Sequence, residues 1–252
     1  IAVRVLSFSG NPEDPDFWFN SIRAALELRK SAIGPGTNCY RLVHGEGDGL
    51  PGLIIDYYDG VCVLQAHSVG MFRNKKQITE ALNRVYGSSL KAVYDKSSGT
   101  APYKAGLELV DGYMYKAEGF DASQTVALEN GHKFIVNWEE GQKTGFFLDQ
   151  KYNRNAIQRL CKGKKVLDCF THMGTFALNA GLAGADDVLG LDISEFAVSQ
   201  AVKNAEINNL SETVKFRAAN VLDELPKLYE AGETYDVVIL DPPAFTKSKE
   251  AT

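Results

Sequence analysis

Residues 164–175 read KKVLDCFTHMGT. An apolar run ends in an acid, and a tight turn carrying Gly174 opens a helix, the joint that starts a parallel α/β sheet. The pattern then repeats. VLDCF, GTFALNAGLAGA, DVLGLDIS, EFAVSQAVKNAEINNL, VKFRAAN, VLDELPKLYEAG and YDVVILDPP alternate strand with helix as far as Pro243. Short strands that are apolar throughout, separated by amphipathic helices, predict right-handed βαβ units with both faces of the sheet covered. The three later strands lead to Asp192, Asn220 and Asp241. All strand C-termini of an open parallel sheet lie along one edge, so Asp168 and these three side chains are expected in one crevice.

Upstream the pattern differs. WEEGQKTGFFLDQKYNRNAIQRL, residues 138–160, sets Gly141 and Gly145 around Lys143 and Thr144, then leads from Asp149 into a helix with Ile157 and Leu160 inward. From Tyr40 the chain reads as short strands and turns, with Asp59-Gly60 a strong hairpin signal. One amphipathic helix carries Ile78, Leu82 and Val85 on a single face, and LKAVYDKS, YMYKAEG and HKFIVNW supply further strands. The sum is a small, mainly β, α+β domain at 38–137 with one helix on its sheet. Residues 1–10 read as a strand, and 17–32 as a helix stopped by Gly34-Pro35-Gly36. That helix would connect to an N-terminal module. The chain starts at Ile1 and stops soon after ILDPPAF, so both ends look cut.

Composition narrows the classes. With 252 residues, 44% hydrophobic and 23% charged, the chain has the makings of a real core and none of the apolar depletion of disorder. No stretch approaches the length of a membrane helix, and the opening residues lack the layout of a signal peptide, so a cytoplasmic protein without a membrane partner is expected. Cys39, Cys62, Cys161 and Cys169 form no CxxC pair. Neither zinc nor a disulfide framework is indicated, and buried reduced thiols are expected. His44, His67 and His132 share no spacing, and Gly45–Gly49 lacks the regular oxygen ligands of a calcium loop, so no metal is expected. A net charge of −5 argues against nonspecific coating of a polyanion but leaves room for a local basic cleft.

Two cofactor classes use this edge of such a sheet. A dinucleotide needs GxGxxG, so that a pyrophosphate can approach the helix N-terminus. Here the turn offers Gly174 alone, with bulky Phe170 and Met173 where a phosphate would sit. S-adenosylmethionine carries no phosphate and needs only close backbone approach near Gly174, with an acid such as Asp168 near its positive amino acid end. Asp192, twenty-four residues after Asp168, is placed to accept from ribose hydroxyls. Asn220 is placed for an adenine amino group beside the Val221 backbone, or alternatively to cap the following helix. In ILDPPAF, two prolines remove two N–H donors and fix Asp241 and the Pro242 carbonyl toward a planar base on which Phe245 can stack.

CYRLVHGEGDGLPGLIID, GQKTGFFLDQ, LDCFTHMGTFAL, LDIS and DPPAFTKSK together resemble the bacterial large-subunit ribosomal RNA methyltransferases that modify the 5-position of cytosine. The resemblance runs from about residue 40 to the end. It implies an α/β, Rossmann-like class I methyltransferase domain with an incomplete parallel sheet at 138–252, preceded by the β-rich α+β domain at 38–137. Residues 1–37 would be the last strand and linking helix of an RNA-binding module of the PUA type. S-adenosylmethionine is the implied cofactor and ribosomal RNA the implied partner, with a homodimer left open. By position, Phe170 and Gly174 would line the cofactor, Asp192 with Ile193 would hold its ribose and Asn220 its adenine. Gln150 and Arg154 would reach it from the preceding helix, and Asp241 with Pro242, Pro243 and Phe245 would face the substrate base.

Two departures bear on chemistry. The adenine contact is more often aspartate, and the cytosine enzymes take a cysteine nucleophile from a later strand, which would lie beyond Thr252. Cytosine C5 is a poor nucleophile until a thiolate adds to the neighbouring ring carbon, with Asp241 assisting at the ring nitrogen. Cys169 is the only thiol near the crevice and sits under the cofactor. The chain by itself is therefore expected to be inactive. Guanine N7 already has a lone pair and needs only positioning, which makes it the alternative acceptor. A cofactor- or RNA-binding fragment is a third reading, and an NAD oxidoreductase a distant fourth.

Overall fold

The computed structural model describes residues 3–8, 10–102 and 106–243. The chain divides into two units, Ile1–Gly131 with Val136–Leu148, and His132–Ile135 with Asp149–Thr252. Residues 136–148 thus group with the first unit and residues 132–135 with the second. Helix α1 (Pro15–Ala32) buries Trp18, Ile22, Ala25 and Leu26, a helical stripe, in the core of the first unit. Leu28 lies off that stripe and is exposed. The described residues before Gly10 are not in a strand.

The first unit holds a five-stranded sheet in the order β1 (Cys39–His44), β2 (Leu53–Tyr58), β3 (Val61–Ala66), β4 (Ala92–Asp95), β5 (Gly112–Lys116). Strands β2 and β3 are joined by Asp59-Gly60, whose φ values of 45° and 95° are those of the expected tight hairpin. Strands β3 and β4 are parallel, because α2 (Val69–Arg73) and α3 (Lys75–Tyr86) cross between them. Ile78, Ala81 and Leu82 of α3 meet the α1 stripe and the sheet in one core. A second hairpin, β6 (Gln124–Glu129) and β7 (His132–Asn137), turns at Asn130-Gly131, both in the left-handed region.

In the second unit α4 (Lys151–Cys161) precedes β8 (Lys165–Cys169), α5 (Thr175–Leu182), β9 (Asp187–Asp192), α6 (Glu195–Ile207), β10 (Val214–Ala218), α7 (Val221–Glu230) and β11 (Val237–Leu240). The sheet order is β10-β9-β8-β11 and every pair is parallel. The order reverses at β8, which puts a switch point beside its C-terminal end. Residues 132–135 belong here because α6 holds them. Asn204 Oδ1 accepts from the Ile135 N–H at 2.8 Å, and Asn208 bonds both backbone groups of Lys133.

Two inward placements differ from expectation. In α4 the buried face is Arg154 and Cys161 with Ile157 half-buried, and Leu160, one residue round the helix, is exposed. In β11 Ile239 is buried while Val238 and Leu240 are 56% and 62% exposed, so among the described residues this apolar strand is covered on one face only.

The sheet and its helices meet on one aromatic ring. Phe216 of β10 lies in a slot between Gly190 of β9 and Gly174 before α5. A Cβ at Gly190 would fall 2.5 Å from the ring, and one at Gly174 2.6 Å from it. Gly190→Ala is expected to lose about 2 kcal/mol in urea unfolding, the usual scale of overpacking. Pairing it with Phe216→Leu should recover part of that loss, and strictly additive costs would show that the slot is not the cause.

Candidate functional site

The site lies at the C-terminal edge of the β10-β9-β8-β11 sheet. Asp168, one residue before the end of β8, is buried. Its Oδ2 accepts from Thr171 Oγ1 at 2.5 Å and from the Ala177 N–H at 3.0 Å, tying the strand to the first turn of α5. Burial pushes its carboxyl up to about 7, against the pull of those two hydrogen bonds and with help from the charges of Asp241 and Asp192. The charges of Asp241 and Asp192 thus reach the Asp168 carboxyl.

The loop between strand and helix is sharply wound. Phe170, His172 and Gly174 have φ of 61°, 52° and 81°, alternate left-handed residues in one five-residue turn. Its amide groups are used within the protein. The His172 N–H donates to Asp192 Oδ2 at 2.9 Å, and the Gly174 N–H to the Thr171 carbonyl. Asp192 Oδ1 accepts from the Ser194 N–H at 2.9 Å, so this carboxylate joins two loops and keeps a second lone pair on each oxygen for a ligand hydroxyl. Burial lowers the His172 imidazole, with Asp192 opposing, which favours the neutral ring.

The structure brings some expected residues together and moves others. Gln150 Nε2 approaches Asp241 Oδ2 at 3.4 Å, and Asn153 holds the Gln150 carbonyl at 2.7 Å, so the α4 end and the β11 end meet in this unit. Pro242 and Pro243 are exposed beside Asp241, as is Ile193 beside Asp192. Phe170 is half-buried against Leu167, Cys169, Leu191 and Val221. The Val221 side chain is core, leaving only its backbone for a ligand. Gly174 is buried with its missing side chain aimed at Phe216, so close packing of helix on sheet requires glycine there. Arg154 is 0% exposed, and contact with a ligand needs its side chain to move. Asn220 caps α7, with Oδ1 accepting from the Leu222 N–H at 3.1 Å and Nδ2 donating to Asp223. Phe245 lies outside the described residues. Thr171, Gly190 and Phe216 also shape the site. The Asp-x-x-Thr spacing at 168–171 was the available signal for the first.

Clustered acids, a ribose-type carboxylate after β9 and loop amides already engaged fit a cationic nucleoside better than a pyrophosphate. Residues 41–251 match the family model of S-adenosylmethionine-dependent methyltransferases. The chain belongs to the S-adenosylmethionine-dependent methyltransferase family. It is 38% identical over 252 residues to Ribosomal RNA large subunit methyltransferase I of Shewanella frigidimarina, covering 99% of this chain and 62% of the relative. It is 37% identical to the protein of that name from Aeromonas salmonicida, covering 99% of this chain and 63% of the relative. The chain therefore spans somewhat under two thirds of these relatives. A solved structure of a candidate methyltransferase complexed with SAH superposes with a TM-score of 0.83 at 25% identity, over 98% of this chain and 62% of that one. The parallel sheet with its flanking helices is the Rossmann-like fold of this methyltransferase family, and S-adenosylmethionine is its cofactor.

The weakened acidity of Asp168 gives stability a pH dependence of definite sign. The folded protein holds this proton up to about pH 7, while the unfolded chain releases it near 3.8, so protonation stabilises the fold below that window and stability falls as pH rises through it. Asp168→Asn, which keeps the acceptor oxygen, should gain on the wild type by up to roughly 4 kcal/mol between pH 4 and 7 in urea titrations. Parallel pH profiles for the two proteins would contradict the assignment.

Proposed function

We propose that this chain carries the cofactor-binding part of an RNA methyltransferase that modifies large-subunit ribosomal RNA, with cytosine C5 as the acceptor. The observation that carries the reading is the pairing of Gln150 with Asp241 beside two exposed prolines, next to the crevice bordered by Asp192 with Asp168 buried beneath it. One half of that arrangement suits a cationic nucleoside and the other a planar base. The names of the relatives in Shewanella and Aeromonas support ribosomal RNA as the substrate.

S-adenosylmethionine supplies an electrophilic methyl group on a sulfonium centre. The chain's own residues hold and orient. Asp192 accepts from the ribose, with Ile193 beside it, and Phe170 borders the crevice. Asn220 retains a lone pair on its capping oxygen for the adenine amino group, next to the Val221 backbone. Gln150 steadies Asp241, which faces the base edge with Pro242 and Pro243. Arg154 acts from inside the unit as a positioning residue.

Guanine N7 is the second reading, and one observation favours it. All four cysteines are buried, and burial with the nearby Asp168 pushes the Cys169 thiol up to about 11, so none of these thiols is a ready nucleophile. Cytosine chemistry requires a thiolate from outside the present sequence, whereas N7 requires none. RNA carrying 5-fluorocytosine separates the two, because only attack through a thiolate traps a covalent complex.

Asp192→Ala should weaken S-adenosylmethionine binding at least about tenfold in calorimetry, since a charged acceptor and the support of two loops go together. Asp241→Ala should leave binding within about threefold while lowering methyl transfer by about 100-fold or more in a protein extended past Thr252. Equal loss of binding in both variants would refute the division of roles.

A further inference from the structure

The first unit contains a groove of about 740 Å³ that the methyl-transfer chemistry does not use. Arg4, Arg41, Lys96 and Lys143 line it against two acids, Glu46 and Asp111, in a chain whose overall charge is −5. Positive charge is therefore concentrated here against the trend of the whole surface. The four cations come from four separate stretches of chain, which spreads the charge along the groove.

The cations are fixed in place. Arg41 grips Asp56 with Nε at 2.8 Å and Nη2 at 3.1 Å, and its side chain stays 30% exposed. Asp56 is wholly buried and also accepts from Thr144 Oγ1 at 2.6 Å, which in turn lies 2.9 Å from the Tyr58 hydroxyl. Thr144 thereby anchors the loop that displays Lys143. That loop winds tightly around the Asn137 carbonyl, and a Cβ at Gly141 or Gly145 would fall 2.3 or 2.7 Å from its oxygen. Lys96 holds the same loop from the other side. Its ammonium donates to the carbonyls of Trp138, Glu139 and Gly141, so its three hydrogens are taken while its charge remains. Lys143 itself is exposed, with a φ of 51° that is unfavourable for a lysine. A strained, doubly anchored loop that sets an exposed lysine at a positive groove, its ammonium 4.3 Å from the Phe147 ring centroid, suits an anion.

We propose that this groove seats the sugar–phosphate backbone of single-stranded RNA, with Lys143, Arg41 and Arg4 facing phosphates. This deepens the RNA reading above and rests on it. The volume exceeds that of one phosphate and suits a short strand segment rather than a double helix. Gln65 stands on the wall with Ser98 and Thr100, whose hydroxyls donate to Asp111 and to the Ala66 carbonyl and so offer acceptor oxygens to sugar hydroxyls. Arg4 is held by Glu46 at 2.9 Å with 30% of its side chain exposed, and can exchange that surface partner for a phosphate.

The test is fluorescence anisotropy of a labelled, mixed-sequence 12-nucleotide single-stranded RNA between 50 and 200 mM KCl, beside calorimetry with S-adenosylmethionine. Lys143→Ala should raise the RNA Kd about 3- to 10-fold at low salt and flatten the log–log salt slope by about 0.7, one phosphate contact. Lys143→Arg and the α1 surface variant Lys30→Ala should stay within about twofold, and all should bind S-adenosylmethionine as the wild type does. The proposal falls if the wild type binds RNA and Lys143→Ala matches it in Kd and slope, or if Lys143→Ala loses the cofactor as well. It also falls if polyglutamate competes as well as unlabelled RNA, which would mark an acidic-protein site. A wild type that binds S-adenosylmethionine but no RNA would instead remove the RNA reading itself, and the groove proposal with it.

Discussion

The carboxyl of Asp168 is the constraint on which the cofactor crevice depends. By accepting from Thr171 and from the Ala177 N–H, it pins the end of β8 to the start of α5 and forces the intervening residues into alternate left-handed conformations. That winding turns the His172 N–H toward Asp192, and Asp192 in turn holds Ser194, the cap of α6. From α6 the Asn204 amide returns to the Met173 carbonyl at 3.1 Å, inside the same loop. The connections close on themselves, so removing any one leaves buried polar groups unsatisfied, which costs more than the bond itself contributes.

The first unit hangs its exposed loop in the same manner. Asp56 plays the part of Asp168, a buried carboxylate that takes a threonine hydroxyl from a loop and an arginine from a neighbouring strand. Hydrogen bonds to a buried carboxyl group fix direction as well as distance. Burying an acid is unfavourable in itself, so each is kept only with its full set of donors. In both units the rigid acid sits beneath, and the residues above it that can meet a ligand, Phe170 and His172 in one case and Lys143 in the other, adopt positive φ.

Much of this fold was legible in the sequence because the signals were local. Apolar runs of strand length marked β8, β9 and β11, and Asp59-Gly60 marked its hairpin. Asn130-Gly131 carried the same information for β6 and β7, yet QTVALE masks its strand with helix-favouring Ala, Leu and Glu. The acids ending the strands were legible because topology alone gathers them on one edge. What could not be read was tertiary. Gly190 is an ordinary strand residue until Phe216 comes to lie against it, and Arg154 occupies a helix face that periodicity assigned to Leu160. The cap role of Asn220 was one of two open readings, and only the geometry at Leu222 shows that the capping bond is made.

The single glycine of the 168–174 turn has a different significance once the amide groups are traced. A glycine-rich loop leaves its N–H groups pointing outward, and a phosphate satisfies them. Here side chains and carbonyls of the protein satisfy those of His172, Gly174 and Ala177, and the remaining glycine is needed by Phe216. The turn therefore offers a ligand its carboxylates and its shape instead of its amides. A cofactor that brings positive charge and ribose hydroxyls completes such a surface, whereas one that brings negative phosphate meets three acids and few donors. Discrimination between the two nucleotide classes thus follows from which polar groups the fold has already used.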